Sequence, residues 1–273
     1  MPTTPRFVVI GNPVGHSLSP AIHAQFARET GIALEYATLL APLDDFAGAA
    51  RAFFGNGGRG ANVTLPFKIE ALRFAASATE RAQRAGAANV LTALPDRIEA
   101  DNTDGAGLVA DLASNLGVSL AGARIALVGA GGAARGAIAP LLAAGPASLV
   151  IANRTLDRAT ALAKEFAPLG RVEARSLDSL AGGAFDVLIN ATSTSTHGTP
   201  LELPAGSLAS EALAYDMAYG PAARPFVEKA RSLGARASDG LGMLVEQAAE
   251  AFCVWHGARP STAAVLAAMR ARG

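Results

Sequence analysis

An apolar run that stops on a glycine-rich turn and restarts as a helix fixes most of what this chain can fold into. Residues 124–137 read RIALVGAGGAARGA, with Gly129, Gly131 and Ala134 spaced as G-x-G-x-x-A. Gly129 permits a tight turn. Gly131 has no Cβ, so a pyrophosphate can approach the backbone, and Ala134 is small enough for close helix–strand packing. The helix start then offers unpaired N–H groups and a positive dipole end to phosphates. A strand, such a turn and a helix within a βαβ unit predict a dinucleotide site.

The rest of the chain extends this pattern. Strands are predicted at Arg124–Gly129, Ser148–Asn153, Val172–Arg175, Asp186–Ala191 and Ala214–Met217, separated by helical or loop segments. That alternation implies a mostly parallel sheet with helices on both faces. The first hundred residues alternate less regularly. Strands are read at Arg6–Ile10, Glu35–Leu40 and Gly60–Thr64, and a hairpin at Ala87–Leu94 and Arg97–Asn102. Helices are read at Pro20–Thr30 (Ser19 as N-cap, Gly31 as stop), at Asp44–Phe54, and from Pro66 onward. Leu241–His256 and Thr262–Arg270 close the chain as helices. The fold class is α/β with two domains: residues 1–104 and a Rossmann-like domain at 105–240, with helices at 241–273 returning to the first. Pro140 falls inside the helix after the glycine turn, where a kink or an early end is expected.

Composition narrows the function classes. At about 150 residues per domain, 273 residues allow one large domain or two small ones, and 51% hydrophobic against 17% charged residues exclude wholesale disorder. The 23 basic and 23 acidic residues cancel, so no net field draws the chain to nucleic acid or anionic membrane. Cys253 is the single cysteine, which excludes an internal disulfide framework and fits a reducing compartment. The N-terminus does not read as a signal peptide. The longest uncharged stretch, between Arg135 and Arg154, is broken by Pro140, Gly145 and Pro146. A cytoplasmic location is expected.

The end of the second strand of the βαβ unit selects the dinucleotide. An NAD site usually has Asp or Glu there to hold the ribose hydroxyls. This chain has Asn153-Arg154-Thr155, with Arg158 following. Two guanidiniums suit a 2′-phosphate, so NADP(H) is preferred. Arg135, at the first helix start, either assists a phosphate or faces solvent.

Four polar clusters sit at predicted strand ends, where α/β sheets place ligands. They are Ser17 and Ser19; Asn62, Thr64 and Lys68; Asn89; and Asn102 and Asp104. Singly, each has an ordinary explanation as a cap, a turn residue or a surface lysine. Together with GAGGAAR, NRT, INATS, YDMAYGP, DGLGMLVEQA and FCVWHG, the segments GNPVGHSLSP, GANVTLPFK, GAANV and DNTDG resemble the shikimate dehydrogenase family along essentially the whole chain. The resemblance implies reversible reduction of 3-dehydroshikimate to shikimate by NADPH, in aromatic amino-acid biosynthesis.

By motif position, the resemblance implies that Lys68 and Asp104 form the catalytic pair. Ser17 and Ser19 hold the substrate carboxylate, helped by Tyr215, while Thr64, Asn89, Asp104 and Gln247 bind ring hydroxyls. The cofactor is expected on Gly129, Ala130, Gly131, Gly132, Ala133, Asn153, Arg154, Thr155 and Arg158. Thr192, Met217 and Gly240 are expected to line its nicotinamide side. A relative acting on quinate, and a non-catalytic NADP-binding sensor, are the alternative readings. Three departures stand out: the segment TSTSTHGTPL after INA, the replacement PAARPF, and Glu246 beside Gln247, which either perturbs the site or faces away. His16, His23, His197 and His256 have no metal-ligand spacing, and no metal is expected. Small-molecule substrate, no nucleic acid, no membrane, and a monomer or homodimer complete the expectation.

Overall fold

The structure is a computed structural model, and it describes residues 4–194 and 201–272. The chain divides into two compact units, residues 1–107 with 245–273, and residues 108–244. The segment Thr194–His197 lies outside the described residues from position 195 onward.

The first unit is built on β1 (Arg6–Gly11), α1 (Ser19–Thr30), β2 (Glu35–Leu40), α2 (Phe46–Gly55), β3 (Gly58–Val63), α3 (Lys68–Phe74), β4 (Ser77–Ala78), α4 (Glu80–Ala85), β5 (Val90–Ala93) and β6 (Ile98–Asp101). Its sheet runs in the order β2-β1-β3-β5-β6-β4. β2, β1 and β3 are parallel, whereas β5 is antiparallel to both β3 and β6. Consequently the ends of β1 and β3, the start of β5 and the end of β6 all emerge at one edge of the sheet. Val8, Ile10, Phe46, Ala61, Val63, Phe67 and Leu91 form the core beneath it.

Several local expectations are corrected here. Leu18 occupies the cap of α1 and Ser19 is its first residue, buried and without a capping bond; Gly31 ends the helix at φ 71°. Asp45 caps α2 through a bond from the Gly48 N–H. Pro66 does not open α3: the Leu65–Pro66 bond is cis and the helix begins at Lys68 after Phe67. β4 and α4, two and six residues long, are too short to leave a periodic pattern in the sequence.

α5 (Asp104–Ala110) leads from the first unit into the second and runs on into a π-helical turn at Asp111–Asn115. There follow β7 (Arg124–Val128), α6 (Gly132–Ala143), β8 (Ser148–Ala152), α7 (Leu156–Phe166), β9 (Val172–Arg175), β10 (Phe185–Asn190), β11 (Leu208–Asp216), α8 (Arg224–Ser232) and β12 (Arg236–Ser238). All six strands are parallel, in the order β12-β11-β10-β7-β8-β9. The order reverses at β7 and β10, which is the point where doubly wound sheets take dinucleotides. Ile125, Leu127, Ile138, Leu149, Ile151 and Val187 are the centre of one face's core; Phe185, Leu188, Ala214 and Phe226 belong to the other's. Helix α6 carries Pro140 and stops three residues later at Ala143. β12, with three residues, is a further strand that the sequence pattern does not reveal. α9 (Leu241–His256) and α10 (Ala263–Arg270) close the chain. No helix among the described residues is long and apolar enough to cross a membrane.

Candidate active site

The common sheet edge of the first unit collects the polar residues singled out above. Thr64 follows β3, and Lys68 opens α3 four residues later. Asn89 immediately precedes β5, and Val63 N–H donates to its carbonyl. Asp101 ends β6, and Asn102, Thr103 and Asp104 lead into α5. The Lys68 Nζ lies 2.6 Å from Asp104 Oδ2, with side chains 29% and 18% exposed. Asn89 Nδ2 has Asp104 Oδ1, Gln247 Oε1 and Thr103 Oγ1 as acceptors, each at 2.9 Å, which share its two hydrogens. Asn89 Oδ1 accepts the Thr103 N–H at 2.7 Å. One asparagine, 2% exposed, thus ties the carboxylate partner of the lysine to α9. This pairing of charged and neutral polar groups is well satisfied on its buried side, as preorganised sites require.

Ser17 is half-buried and its hydroxyl accepts the Ser19 N–H at 3.3 Å. Ser19 faces the phenol of Tyr36. That phenol donates to Asn62 Oδ1 at 2.6 Å, and Asn62 Nδ2 donates to the Asn89 carbonyl at 3.2 Å. Polar contacts therefore run from the serine segment to the lysine–aspartate pair. Burial pushes the Tyr36 phenol well above its ordinary range, so it stays a neutral donor. Sequence reasoning does not single out Tyr36 or Thr103; the first reads as a strand aromatic and the second as filler within DNTDG.

Glu246 is 4% exposed and pairs with Arg259 at 2.8 Å. Arg259 stands on the loop beyond α9, and its guanidinium pairs the Glu246 charge.

The glycine turn of the second unit has room for a ligand. Gly129 adopts φ +120°, and a Cβ on it would lie 3.0 Å from the Ala191 carbonyl group. Gly131 and Gly132 have open space where a side chain would be, and Gly131, Gly132 and Ala133 are exposed at the start of the 12-residue helix α6. Ala130 is half-buried, and Ala134 packs into the core. Asn153 Nδ2 donates to the Thr155 carbonyl, shaping the turn that leaves β8. Arg154 and Arg158 are exposed, and no ion pair joins either to a described residue. These residues fit a phosphorylated dinucleotide: an open N–H cradle and two available guanidiniums. Arg135 is committed elsewhere, paired with Glu165 and stacked over the Phe166 ring. Thr192 donates to Asn190 Oδ1 at 2.7 Å, and Met217 N–H to the Asn190 carbonyl at 3.0 Å. A Cβ on Gly240 would collide with the Met217 carbonyl, so packing admits no larger residue there.

Tyr215, expected at the substrate carboxylate, lies on β11 with no exposed surface, and its hydroxyl donates to Asp111 Oδ2 at 2.7 Å. Burial, followed by the Asp111 charge, raises its pKa well above the ordinary value. Among the described residues no cluster of three His, Cys, Asp or Glu side chains can hold a metal ion.

Comparisons with known proteins agree along the chain. Residues 9–91 match the family described as shikimate dehydrogenase substrate binding domain, 111–202 the shikimate / quinate 5-dehydrogenase family, and 240–270 the shikimate 5'-dehydrogenase C-terminal domain. A shikimate dehydrogenase (NADP(+)) from Dechloromonas aromatica (strain RCB) is 56% identical over 97% of this chain and 97% of its own length. Among solved structures, an Ael1 enzyme from Pseudomonas putida is 45% identical, with a TM-score of 0.90, over 97% of this chain and 98% of the other. The shikimate 5-dehydrogenase of Thermus thermophilus, solved with NADP(H) and shikimate, is 34% identical, with a TM-score of 0.86, over 98% and 99%. Matching these families in order, and more than half identical to a relative over nearly its full length, this chain belongs to the shikimate dehydrogenase family.

Proposed function

We propose that this chain catalyses the reversible NADPH-dependent reduction of 3-dehydroshikimate to shikimate, a step of aromatic amino-acid biosynthesis. The observation that carries the reading is the Lys68–Asp104 pair at 2.6 Å, held in one hydrogen-bonded set with Asn89 and Gln247. Reducing a ketone takes a hydride at carbon and a proton at oxygen, and bound NADPH is the source of the hydride. The Lys68 ammonium stabilises the developing alkoxide and gives it a proton, leaving a neutral amine that is reprotonated from solvent. In the oxidative direction the amine takes the hydroxyl proton back. Asp104 orients Lys68 and, with Thr64, Asn89 and Gln247, binds the ring hydroxyls. Ser17 and Ser19 anchor the carboxylate. Gly129–Ala133, Asn153–Thr155 and Arg158 hold the cofactor, with Thr192, Met217 and Gly240 along its nicotinamide side. On this reading residues 1–104 with the closing helices 241–273 are the substrate domain, and 105–240 the NADP domain. The enzyme acts on a small molecule in the cytoplasm, as a monomer or homodimer, without nucleic acid or membrane. Growth of the nicotinamide absorbance band on mixing the protein with shikimate and NADP tests this directly, with quinate and NAD as comparison arms. No turnover of shikimate removes the proposal, and equal kcat/KM for quinate broadens the substrate.

Two smaller effects follow. Ser17→Ala should raise KM for shikimate about tenfold with kcat within about threefold, because a carboxylate anchor remote from the reacting carbon acts mainly on binding. An unchanged KM assigns Ser17 to loop structure instead. Arg154→Ala should raise KM for NADP about tenfold, the worth of a charged hydrogen bond, and leave KM for NAD unchanged. Equal losses with both cofactors exclude a 2′-phosphate contact.

A further inference from the structure

Behind the lysine–aspartate pair, within the first unit, lies an ion network that the proposed mechanism does not use. Arg81, in the first turn of α4, directs its Nε and Nη2 to the two oxygens of Asp101, both at 2.6 Å. Its remaining nitrogen, Nη1, reaches Glu250 Oε1 on α9 at 2.8 Å. Both carboxylates stand next to site residues. Asp101 Oδ1 accepts the Asn102 N–H at 2.7 Å and the Thr79 hydroxyl at 2.6 Å. Asn102 Oδ1 in turn accepts the Asp104 N–H at 3.1 Å, and Asp104 holds Lys68. Glu250 lies three residues beyond Gln247, whose Oε1 accepts from Asn89 and whose carbonyl accepts the Thr103 hydroxyl at 3.0 Å. Arg259 steadies the same face of α9 by bridging Glu246 and Glu250.

We propose that Arg81 is a positioning residue, its guanidinium clamping Asp101 and Glu250 so as to fix both the turn that presents Asp104 to Lys68 and the helix that presents Gln247 to Asn89. Only a planar fork spans two carboxylates in this way, with one edge bidentate and one nitrogen to spare. Burial pushes the Asp101 carboxyl up, but Arg81 and Thr79 outweigh it and hold the group below its ordinary range. The two arms end on different tasks. The Asp101 arm leads to the groups that move the proton, and the Glu250 arm leads to a residue that binds substrate. The inference rests on the function proposed above.

The test separates the arms by steady-state kinetics with shikimate and NADP, on the full chain. Geometric misplacement of a catalytic pair costs on the order of a hundredfold or less. Asp101→Asn should lower kcat about tenfold with KM for NADP within about twofold. Glu250→Gln should raise KM for shikimate about fivefold with kcat within about twofold. Arg81→Met should show both effects together, again with KM for NADP unchanged. The two carboxylate variants carry the test should Arg81→Met not fold. A clamp that only stabilises the fold would lower melting temperature without this split. The proposal is overturned by folded variants whose constants all stay within about twofold of the parent's, or by the two arms shifting the same constant. A wild-type chain that does not turn over shikimate overturns the functional reading and the clamp together. An active wild type without the split overturns the clamp alone.

Discussion

Replacing Lys68 by alanine is expected to lower kcat for shikimate oxidation about a thousandfold, near the middle of the range for positioned acid–base groups, with KM for shikimate and for NADP changed less than about threefold. The expectation follows from where the ammonium stands. It lies 2.6 Å from Asp104 and makes no other hydrogen bond to a described residue, so its remaining protons are available to a bound oxygen. An interaction that strengthens only as negative charge develops on that oxygen lowers the barrier and leaves ground-state binding almost untouched. Asp104→Asn is expected to cost less. The amide can still accept from Asn89 or Lys68, but it no longer pairs a charge with the lysine. Because the two residues act as a unit, the double variant should be little slower than Lys68→Ala alone. Initial rates at saturating NADP and shikimate measure this. A Lys68→Ala enzyme retaining more than about a tenth of the parental kcat would remove the proton-transfer role, since a general acid contributes at least about two orders of magnitude.

The glycine turn and the lysine–aspartate pair are legible in the sequence to different degrees, for a physical reason. The glycine turn is a local feature: four apolar residues, a glycine at φ +120° and a helix of small residues lie within about twenty positions. Local sequence therefore determines it almost completely, and the parallel sheet follows from the strand–helix alternation. The lysine–aspartate pair is non-local. Lys68 follows β3 and Asp104 follows β6, and they meet only because β5 lies antiparallel between those strands and returns the chain to the same edge. Nothing in the intervening residues encodes that register; the family resemblance, and not the local pattern, points to the pairing.

What the local pattern leaves open has the same origin. Ser19 has the chemistry of an N-cap, yet the chain turns one residue earlier and spends the position inside the helix. Tyr215 stands at the mouth end of a strand, and the partner of its hydroxyl, Asp111, lies far earlier in the chain. Glu246 is ambiguous in the sequence because its partner, Arg259, is thirteen residues away on the loop beyond α9. In each case the residue type is informative and the decisive partner is distant.

Acid should weaken the first unit through His23, and His23→Phe should remove that sensitivity. The His23 imidazole has no exposed surface and stacks on Tyr36 at 4.2 Å, with Phe26, Phe252 and Trp255 around it. No well-aligned hydrogen bond holds either ring nitrogen, and the Asn62 side chain offers only a weak one. Burial first, and the nearby His256 second, lower its pKa to about 3, against a weaker opposing pull from Asn62. The neutral ring is thus the native form, whereas the unfolded chain binds a proton below about pH 6.5. Between those two values the unfolded state holds more protons, so stability falls as pH falls. The loss is negligible above about pH 7, about 2 kcal/mol at pH 5 and about 3 kcal/mol at pH 4. Phenylalanine keeps an aromatic ring in the stack and cannot titrate. Urea unfolding of the parent and His23→Phe at pH 7 and pH 5 isolates the effect, because every carboxylate contribution is common to both chains. The stability difference between the two should move by about 2 kcal/mol in favour of the variant on acidification. Parallel pH profiles would mean that His23 takes up its proton without unfolding the cluster, and the burial argument would fail.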